Sequence, residues 1–309
     1  MDSYDVVVIG GGPAGLNGAL MLARARRSVL VIDAGEPRNA PAAGVHGFLT
    51  REGVNPAELT RIGRDEVRGY GGRVIDGRVV ATAKHDDGFT VTLDDGGVIA
   101  ARRLLVTTGL VDELPAIPGI RERWGRDVLH CPYCHGWEVR DRAVAVLATG
   151  PAAMHQTLLF RQWTADVTLL LNNQPPPDET EMEQLEALDV KVVAGEVVAL
   201  EAGGARLANG EVVPLHALVV GPRFNARSDV LAGLGLVPTP HPFGEFIAAD
   251  PNGLTEVAGV YVAGNVSDLK AQVLASAAAG AAAAVAINTD LIAEDVRRAV
   301  DARRSLLPR

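Results

Sequence analysis

Cys131 and Cys134 are the only cysteines in the chain, and two residues separate them. Thiols at this CxxC spacing can form and open a disulfide or hold a metal. A zinc site commonly draws four ligands from two such pairs, and no second pair exists, so redox chemistry is expected and no metal. Pro132 suits a first helical position, so Cys131 is predicted to cap a helix whose positive N-terminal end favours a thiolate. The first sulfur is then exposed for exchange and the second more sheltered. His135 follows Cys134 directly and can take or return a proton near neutral pH. Glu138 comes one helical turn later, placed to pair with His135 or to remain a solvated charge. Cys131, Cys134 and His135 are the catalytic candidates.

These residues need a frame, and the N-terminal sequence supplies one. Residues 6–9 are a short apolar run, residues 14–25 are apolar with helical period, and residues 29–32 are a second β-rich run. Together they predict a βαβ unit with both strands buried. The turn reads Gly10-Gly11-Gly12-Pro13-Ala14-Gly15, a GxGxxG after a strand and at a helix start, and Asp33 closes the second strand 23 residues after Gly10. Gly10 allows the tight turn, Gly12 lets backbone approach a pyrophosphate, and Gly15 lets the helix pack on the strand. The helix N-terminus, opened by Pro13 and Ala14, faces the phosphates, and Asp33 accepts from a ribose hydroxyl.

An offset of 138 residues aligns Val8-Ile9-Gly10-Gly11-Gly12-Pro13-Ala14-Gly15 with Val146-Leu147-Ala148-Thr149-Gly150-Pro151-Ala152-Ala153. The second copy is damaged. Ala148 puts a Cβ where the tight turn wants none, and Leu171-Asn172-Asn173 replace the ribose-reading acid. Asp178, Glu179, Glu181, Glu183, Glu186 and Asp189 follow with no basic residue among them, so an anionic phosphate would meet like charge. The second unit is expected to keep its fold and to lack nicotinamide binding.

The 309 residues suit about two domains at the usual 100–200 residues each. A 48% hydrophobic and 22% charged composition is that of a globular chain, and a net charge of −9 argues against a nucleic-acid binder. Two cysteines are too few for a secreted disulfide framework, and the first residues carry no leader-like segment, so a cytoplasmic location is expected. Residues 273–287 are nearly unbroken small apolar residues. They fall short of the roughly 20 residues that a membrane span needs and read as a buried helix.

GGGPAG with Asp33, the strand ending Thr107-Thr108-Gly109, CPYCHG between the units, and Gly259-Val260-Tyr261-Val262-Ala263-Gly264-Asn265 before an Ala-rich helix resemble the low-molecular-weight thioredoxin reductase family over nearly the whole chain. More narrowly, CPYCHGWE, Gly35-Glu36-Pro37-Arg38-Asn39 and His46-Gly47-Phe48-Leu49-Thr50-Arg51 resemble the branch that contains the gliotoxin and holomycin dithiol oxidases. Bacterial thioredoxin reductases usually have Asp where His135 stands and Gly-Asp where Gly264-Asn265 stand, and carry an HRR-type basic motif absent here.

The resemblance implies an α/β fold class of two Rossmann-like, three-layer (ββα) nucleotide-binding domains of the pyridine nucleotide-disulfide oxidoreductase type. Residues 1–115 and 228–309 would form a discontinuous FAD-binding domain, and 116–227 an NAD(P)H-binding-like domain carrying the CxxC. FAD would be held by Gly10, Gly12, Pro13, Ala14, Gly15 and Asp33 on its ADP half. Arg38, Asn39, His46, Thr108, Gly109, Gly264, Asn265, Gln272 and Val273 would lie toward its pyrophosphate, ribityl chain and ring. Asn265 can still hydrogen-bond a ribityl hydroxyl, without the charge of Asp.

The implied enzyme is a homodimer that oxidises a small-molecule dithiol to an intramolecular disulfide. Substrate thiol attacks Cys131, Cys134 passes the electrons to FAD, His135 manages the thiol protons, and O2 is reduced to hydrogen peroxide. The implied setting is biosynthesis of, and self-protection against, a disulfide antibiotic such as the dithiolopyrrolone holomycin, with no nucleic-acid or membrane partner. The alternatives are a thioredoxin-disulfide reductase using NADPH or another donor, and a non-catalytic flavin redox sensor.

Overall fold

The computed structural model describes residues 2–306. It divides into two compact units: Met1–Ala40, Pro56–Val111 and Phe224–Arg309 form the first, and Pro41–Asn55 and Asp112–Arg223 the second. The divisions fall four residues before those expected at 115 and 227. One segment inside the range expected for the FAD-binding domain, Pro41–Asn55, falls outside the first compact unit. This segment closes on itself through Val45 N–H to Val54 O (2.8 Å) and Gly53 N–H to Val45 O (2.8 Å), with Val45 buried, and groups with the second unit.

In the first unit, strand Ser3–Ile9 lies between Val29–Asp33 and Val98–Val106, parallel to both, with Arg73–Asp76 beyond Val29–Asp33. Val260–Val262 adds in parallel along Leu104–Val106, and Gly88–Leu93 and Val79–His85 extend the sheet antiparallel. The alternation of strand side chains feeds two cores. Val7, Ile9, Leu30, Ile32, Leu104 and Val106 enter one, while Val6, Val8, Val29, Val31 and Leu105 enter the other with the helices. Burial on both faces is why these strands read as continuous apolar runs.

Helix Pro13–Arg24 follows the first strand, and its partner is the C-terminal helix Val273–Ser305. That helix is 33 residues, far longer than the apolar run at 273–287, and it is long and apolar enough by composition to pass for a membrane span. Its inner face is nonetheless core: Ser276, Ala277, Gly280, Ala283, Ala284, Ile287 and Leu291 are buried at helical period. Beyond residue 287 it turns polar, and Asp290, Glu294 and Asp295 pair with Arg103, Arg102 and Arg27. The two helices cross closely because Gly280 lacks a Cβ, which would stand 1.9 Å from Ala14 O.

The second unit is built on a parallel sheet ordered Lys191–Val193, Val167–Leu170, Val144–Leu147, Ala217–Val219, Val128–Leu129. A small antiparallel sheet of Val197–Glu201, Gly204–Leu207 and Val212–Val213 completes it. Helix Ala152–Phe160 follows Val144–Leu147, repeating the strand–turn–helix order of the first unit.

The helix crossing gives a direct test. Gly280→Ala should destabilise the protein by about 1–3 kcal/mol through overpacking. Gly69→Ala, at a helix end where a Cβ meets nothing within 4 Å, should be neutral or stabilise by up to about 1 kcal/mol. Urea midpoints measure both, and equal midpoints would refute the packing assignment.

Candidate active site

The dinucleotide turn has the expected construction. Gly10 has φ of +108° and its N–H donates to Ile32 O at 2.8 Å, closing the turn against the neighbouring strand. A Cβ on Gly15 would stand 2.0 Å from Gly10 O, so only glycine lets the helix sit this close. A Cβ on Gly12 would meet nothing within 4 Å among the described residues, so the backbone at the helix N-cap is bare. Pro13 opens the helix and Ala14 is buried behind it. Bare backbone at a helix N-terminus suits an anionic diphosphate.

Asp33 reaches the same turn. Its side chain packs where a Cβ of Gly11 would lie, accepts from Gly35 N–H at 3.2 Å, and pairs with Arg64, which also bonds Asp76 at 2.6 Å. A carboxylate has about four lone-pair sites, so these contacts leave room for a ribose hydroxyl. A cleft of about 350 Å³ opens beside it, lined by Asp33, Gly35, Asp76, Arg78 and Asp94 among others.

Asn265 also closes a loop of the protein itself. Its Nδ2 donates to both Asp268 O and Ala271 O at 2.9 Å, and its Oδ1 accepts from Arg38 Nη1 at 3.3 Å. Both amide hydrogens are thus spent closing residues 264–272, the approach to the helix that Gln272 caps and Val273 begins. The Arg38 guanidinium also lies 5.1 Å over the Phe224 ring. Thr108 is likewise committed, its hydroxyl donating to Arg227 O at 2.6 Å. Gly109 and Gly264 have left-handed backbones, and Asn39 is half-buried.

The redox turn lies in the second unit. Cys131 and Cys134 are disulfide-bonded, with Cα atoms 5.3 Å apart. Cys131 caps helix Pro132–His135, as Pro132 predicts, but the helix is a single turn. Its dipole is therefore that of a few peptides. Trp163 packs under the turn, possible because Gly136 has no Cβ to strike its ring, and Tyr133 meets Trp163 edge-on at 5.7 Å. Tyr133 and Trp137 stand 66% and 65% exposed, giving the disulfide's surroundings an aromatic surface. Arg140 lies 4.2 Å over the Trp137 ring.

His135 has both ring nitrogens inaccessible and without a hydrogen-bond partner among the described residues. Burial pushes its pKa below the ordinary 6.5; Glu138 opposes this and His46 adds to it. Glu138 therefore acts on His135 by charge and not by a hydrogen bond. His46 lies in the Pro41–Asn55 segment, which groups with this unit. Its Nδ1 lies 2.6 Å from Glu52 Oε1 and its Nε2 3.6 Å from Glu138 Oε1. His130 is a residue that sequence reading missed, although its position before Cys131 was a signal: its Nδ1 lies 3.0 Å from Val220 O and 3.2 Å from Gln156 Nε2.

The second strand–turn–helix is locked rather than open. Ala148 N–H donates to Leu170 O at 2.9 Å, matching Gly10, but Ala148 is buried and is not among the residues with left-handed backbone. Thr149 turns its hydroxyl to Gly221 O at 3.1 Å. Asn172, in place of the acid, has φ of +47° and accepts from Val197 N–H at 3.1 Å. Of the six carboxylates that follow, Asp178 and Glu181 form a capping box on helix Glu179–Ala187.

Two parallel-sheet nucleotide-binding units with a CxxC disulfide define a flavin-dependent disulfide oxidoreductase. Residues 4–284 match the pyridine nucleotide-disulphide oxidoreductase family, and the chain belongs to it. It is 31% identical to thioredoxin reductase tcpT of Claviceps purpurea, over 98% of each chain. It superposes on the crystal structure of HlmI with a TM-score of 0.91 at 46% identity, covering 99% of this chain and 98% of that one. An oxidoreductase from Agrobacterium tumefaciens matches with a TM-score of 0.90 at 34% identity, over 94% of this chain and 99% of that one. The likeness to thioredoxin reductases seen in the sequence is borne out, the protein is an oxidoreductase, and its cofactor is FAD. The bare Gly12 backbone, the residual acceptors of Asp33 and the left-handed turns at Gly109 and Gly264 fit that cofactor.

Replacing the Asn265 donors tests the loop assignment. Asn265→Asp turns a carboxylate onto two carbonyl oxygens and leaves them unpaired, which costs about 1–3 kcal/mol. We expect a lower melting temperature of the apoprotein and weaker flavin retention on gel filtration; a variant matching wild type in both would show that the amide is not what closes the loop.

Proposed function

We propose that the protein is a dithiol oxidase: it oxidises a small-molecule dithiol to an intramolecular disulfide through Cys131 and Cys134 and reduces O2 to hydrogen peroxide. A substrate thiolate attacks Cys131, the Cys131–Cys134 bond breaks, and Cys134 leaves as thiolate. The second substrate thiol then attacks the substrate sulfur held on Cys131, closing the product ring and releasing Cys131. His135, kept neutral by burial, accepts the thiol proton. Two electrons now reside on the enzyme's thiols. The FAD held by the first unit would supply the two-electron acceptor for these thiols and the route to dioxygen. The sum, dithiol plus O2 giving disulfide plus hydrogen peroxide, balances without a nicotinamide.

The observation that carries this reading is the state of the second nucleotide turn. Thr149 bonded to Gly221, Asn172 turned to Val197 N–H, and a following acidic helix leave little to attract a nicotinamide dinucleotide. The exposed Tyr133 and Trp137 rings support a compact, partly apolar substrate. Closure of a disulfide antibiotic of the holomycin type, in a cytoplasmic homodimer, is the setting this reading favours. The rival is a thioredoxin-disulfide reductase fed by NADPH. Its support is the complete parallel sheet of the second unit and the likeness to the Claviceps thioredoxin reductase.

Anaerobic flavin absorbance separates the two. Dithiothreitol should bleach the oxidised flavin band rapidly, NADPH should not, and Cys134→Ser should retain FAD while losing bleaching by dithiol. Rapid bleaching by NADPH would overturn the oxidase reading, and unchanged bleaching in Cys134→Ser would give the flavin-facing role to another group.

A further inference from the structure

Two carboxylates meet at one edge of the first unit's sheet. Asp33 and Asp76 are register partners at the ends of the parallel strands Val29–Asp33 and Arg73–Asp76, so like charges stand side by side. Asp33 is 16% exposed and Asp76 81%, so it is Asp33 that carries its charge away from solvent. A charge so placed needs a partner. Arg64 supplies it: Nη2 donates to Asp33 Oδ2, and Nη1 donates to Asp76 Oδ1 at 2.6 Å. The guanidinium is itself mostly buried, and its planar fork spans both carboxylates.

Helix Pro56–Gly69, which carries Arg64, is placed for this contact. Gly63 brings it against helix Pro13–Arg24: a Cβ there would stand 3.1 Å from Leu16 Cδ1. Val67, three residues after Arg64, is buried on the same face. Asp33 is held from its other sides as well. Its Oδ1 accepts from Gly35 N–H at 3.2 Å, and a Cβ on Gly11 would stand 2.6 Å from its Cγ. One bond to each oxygen leaves a lone pair on each. The cleft of about 350 Å³ beside Asp33 is lined by Asp33, Gly35 and Asp76 and not by Arg64, so the guanidinium stands behind the carboxylate.

We propose that Arg64 is a positioning residue for the cofactor: it neutralises the Asp33–Asp76 pair and turns the Asp33 carboxylate so that its two remaining acceptors meet the hydroxyls of the adenosine ribose. This role rests on the ribose contact expected of Asp33 and is independent of the oxidase reading. Without Arg64, Asp33 faces Asp76 uncompensated and is free to swing toward solvent. The loss then falls on the ribose contact and not on the flavin ring.

The test compares two ligands. Full-length protein stripped of flavin is titrated with FAD and with the FAD analogue that carries 2′-deoxyadenosine, and the change in flavin fluorescence gives each affinity. A hydrogen bond from the ribose to a carboxylate should make the wild type prefer FAD by about tenfold or more. Arg64→Met keeps the reach of the side chain and removes the fork, so FAD should bind about tenfold more weakly and the preference should fall to about threefold or less. Loosening of the fold alone would weaken both ligands alike, so a wild-type preference in Arg64→Met overturns the role. Arg64→Lys serves where Arg64→Met does not fold. A point charge cannot hold both carboxylates in one plane, so its preference should lie between the two, and a wild-type value again overturns the role. A wild-type protein that binds both ligands equally would instead remove Asp33 from the ribose, and the role of Arg64 with it, leaving the oxidase reading untouched.

Discussion

The close approach of backbone to backbone around Gly10 and Gly15 is the constraint on which the first unit depends. A Cβ at Gly15 would occupy the space of Gly10 O, and a Cβ at Gly280 would occupy that of Ala14 O. Helix Pro13–Arg24 is therefore pressed between a strand and the long C-terminal helix with no side chain to spare. Its N-terminus is fixed in position, and the bare backbone at Gly12 is left as the place where an anionic diphosphate is received. Asp33 and the loop closed by Asn265 are set by the same sheet, at the ends of Val29–Asp33 and after Val260–Val262.

The second unit repeats the element order with a different outcome. Both turns begin with an N–H bonded to the neighbouring strand, Gly10 to Ile32 O and Ala148 to Leu170 O. They then diverge: the first exposes backbone, while the second folds the Thr149 hydroxyl onto Gly221 O and the Asn172 side chain onto Val197 N–H. Polar groups that could have faced a ligand are satisfied within the protein. The unit holds instead a redox turn seated on Trp163, with a desolvated imidazole on the residue that follows the second cysteine.

Much of this was legible in the sequence because it is local. GxGxxG between a strand and a helix has a spacing that few other structures need, and the steric requirement at Gly10 and Gly15 follows from the turn itself. The cap at Cys131 was readable from Pro132, and the weakness of the second copy from Ala148 and the missing acid. What escaped depends on contacts distant in sequence. Asn265 could not be seen to spend both amide hydrogens on Asp268 O and Ala271 O, or to accept from Arg38. His46 could not be separated from the first unit until Val45 and Val54 were seen to close the segment 41–55. The acidic run after Asn173 suggested only repulsion, whereas Asp178 and Glu181 are a helix cap.

The central claim is that electrons enter as dithiol and leave to dioxygen without passing through a nicotinamide. Its most direct measure is stoichiometry in an oxygen electrode, with purified FAD-loaded protein, excess small dithiol and no NADPH. The account predicts sustained turnover in which one O2 is consumed and one hydrogen peroxide appears for each cyclic disulfide formed. Oxygen uptake that stops after a single equivalent per enzyme, or that proceeds only when NADPH is added, would contradict it.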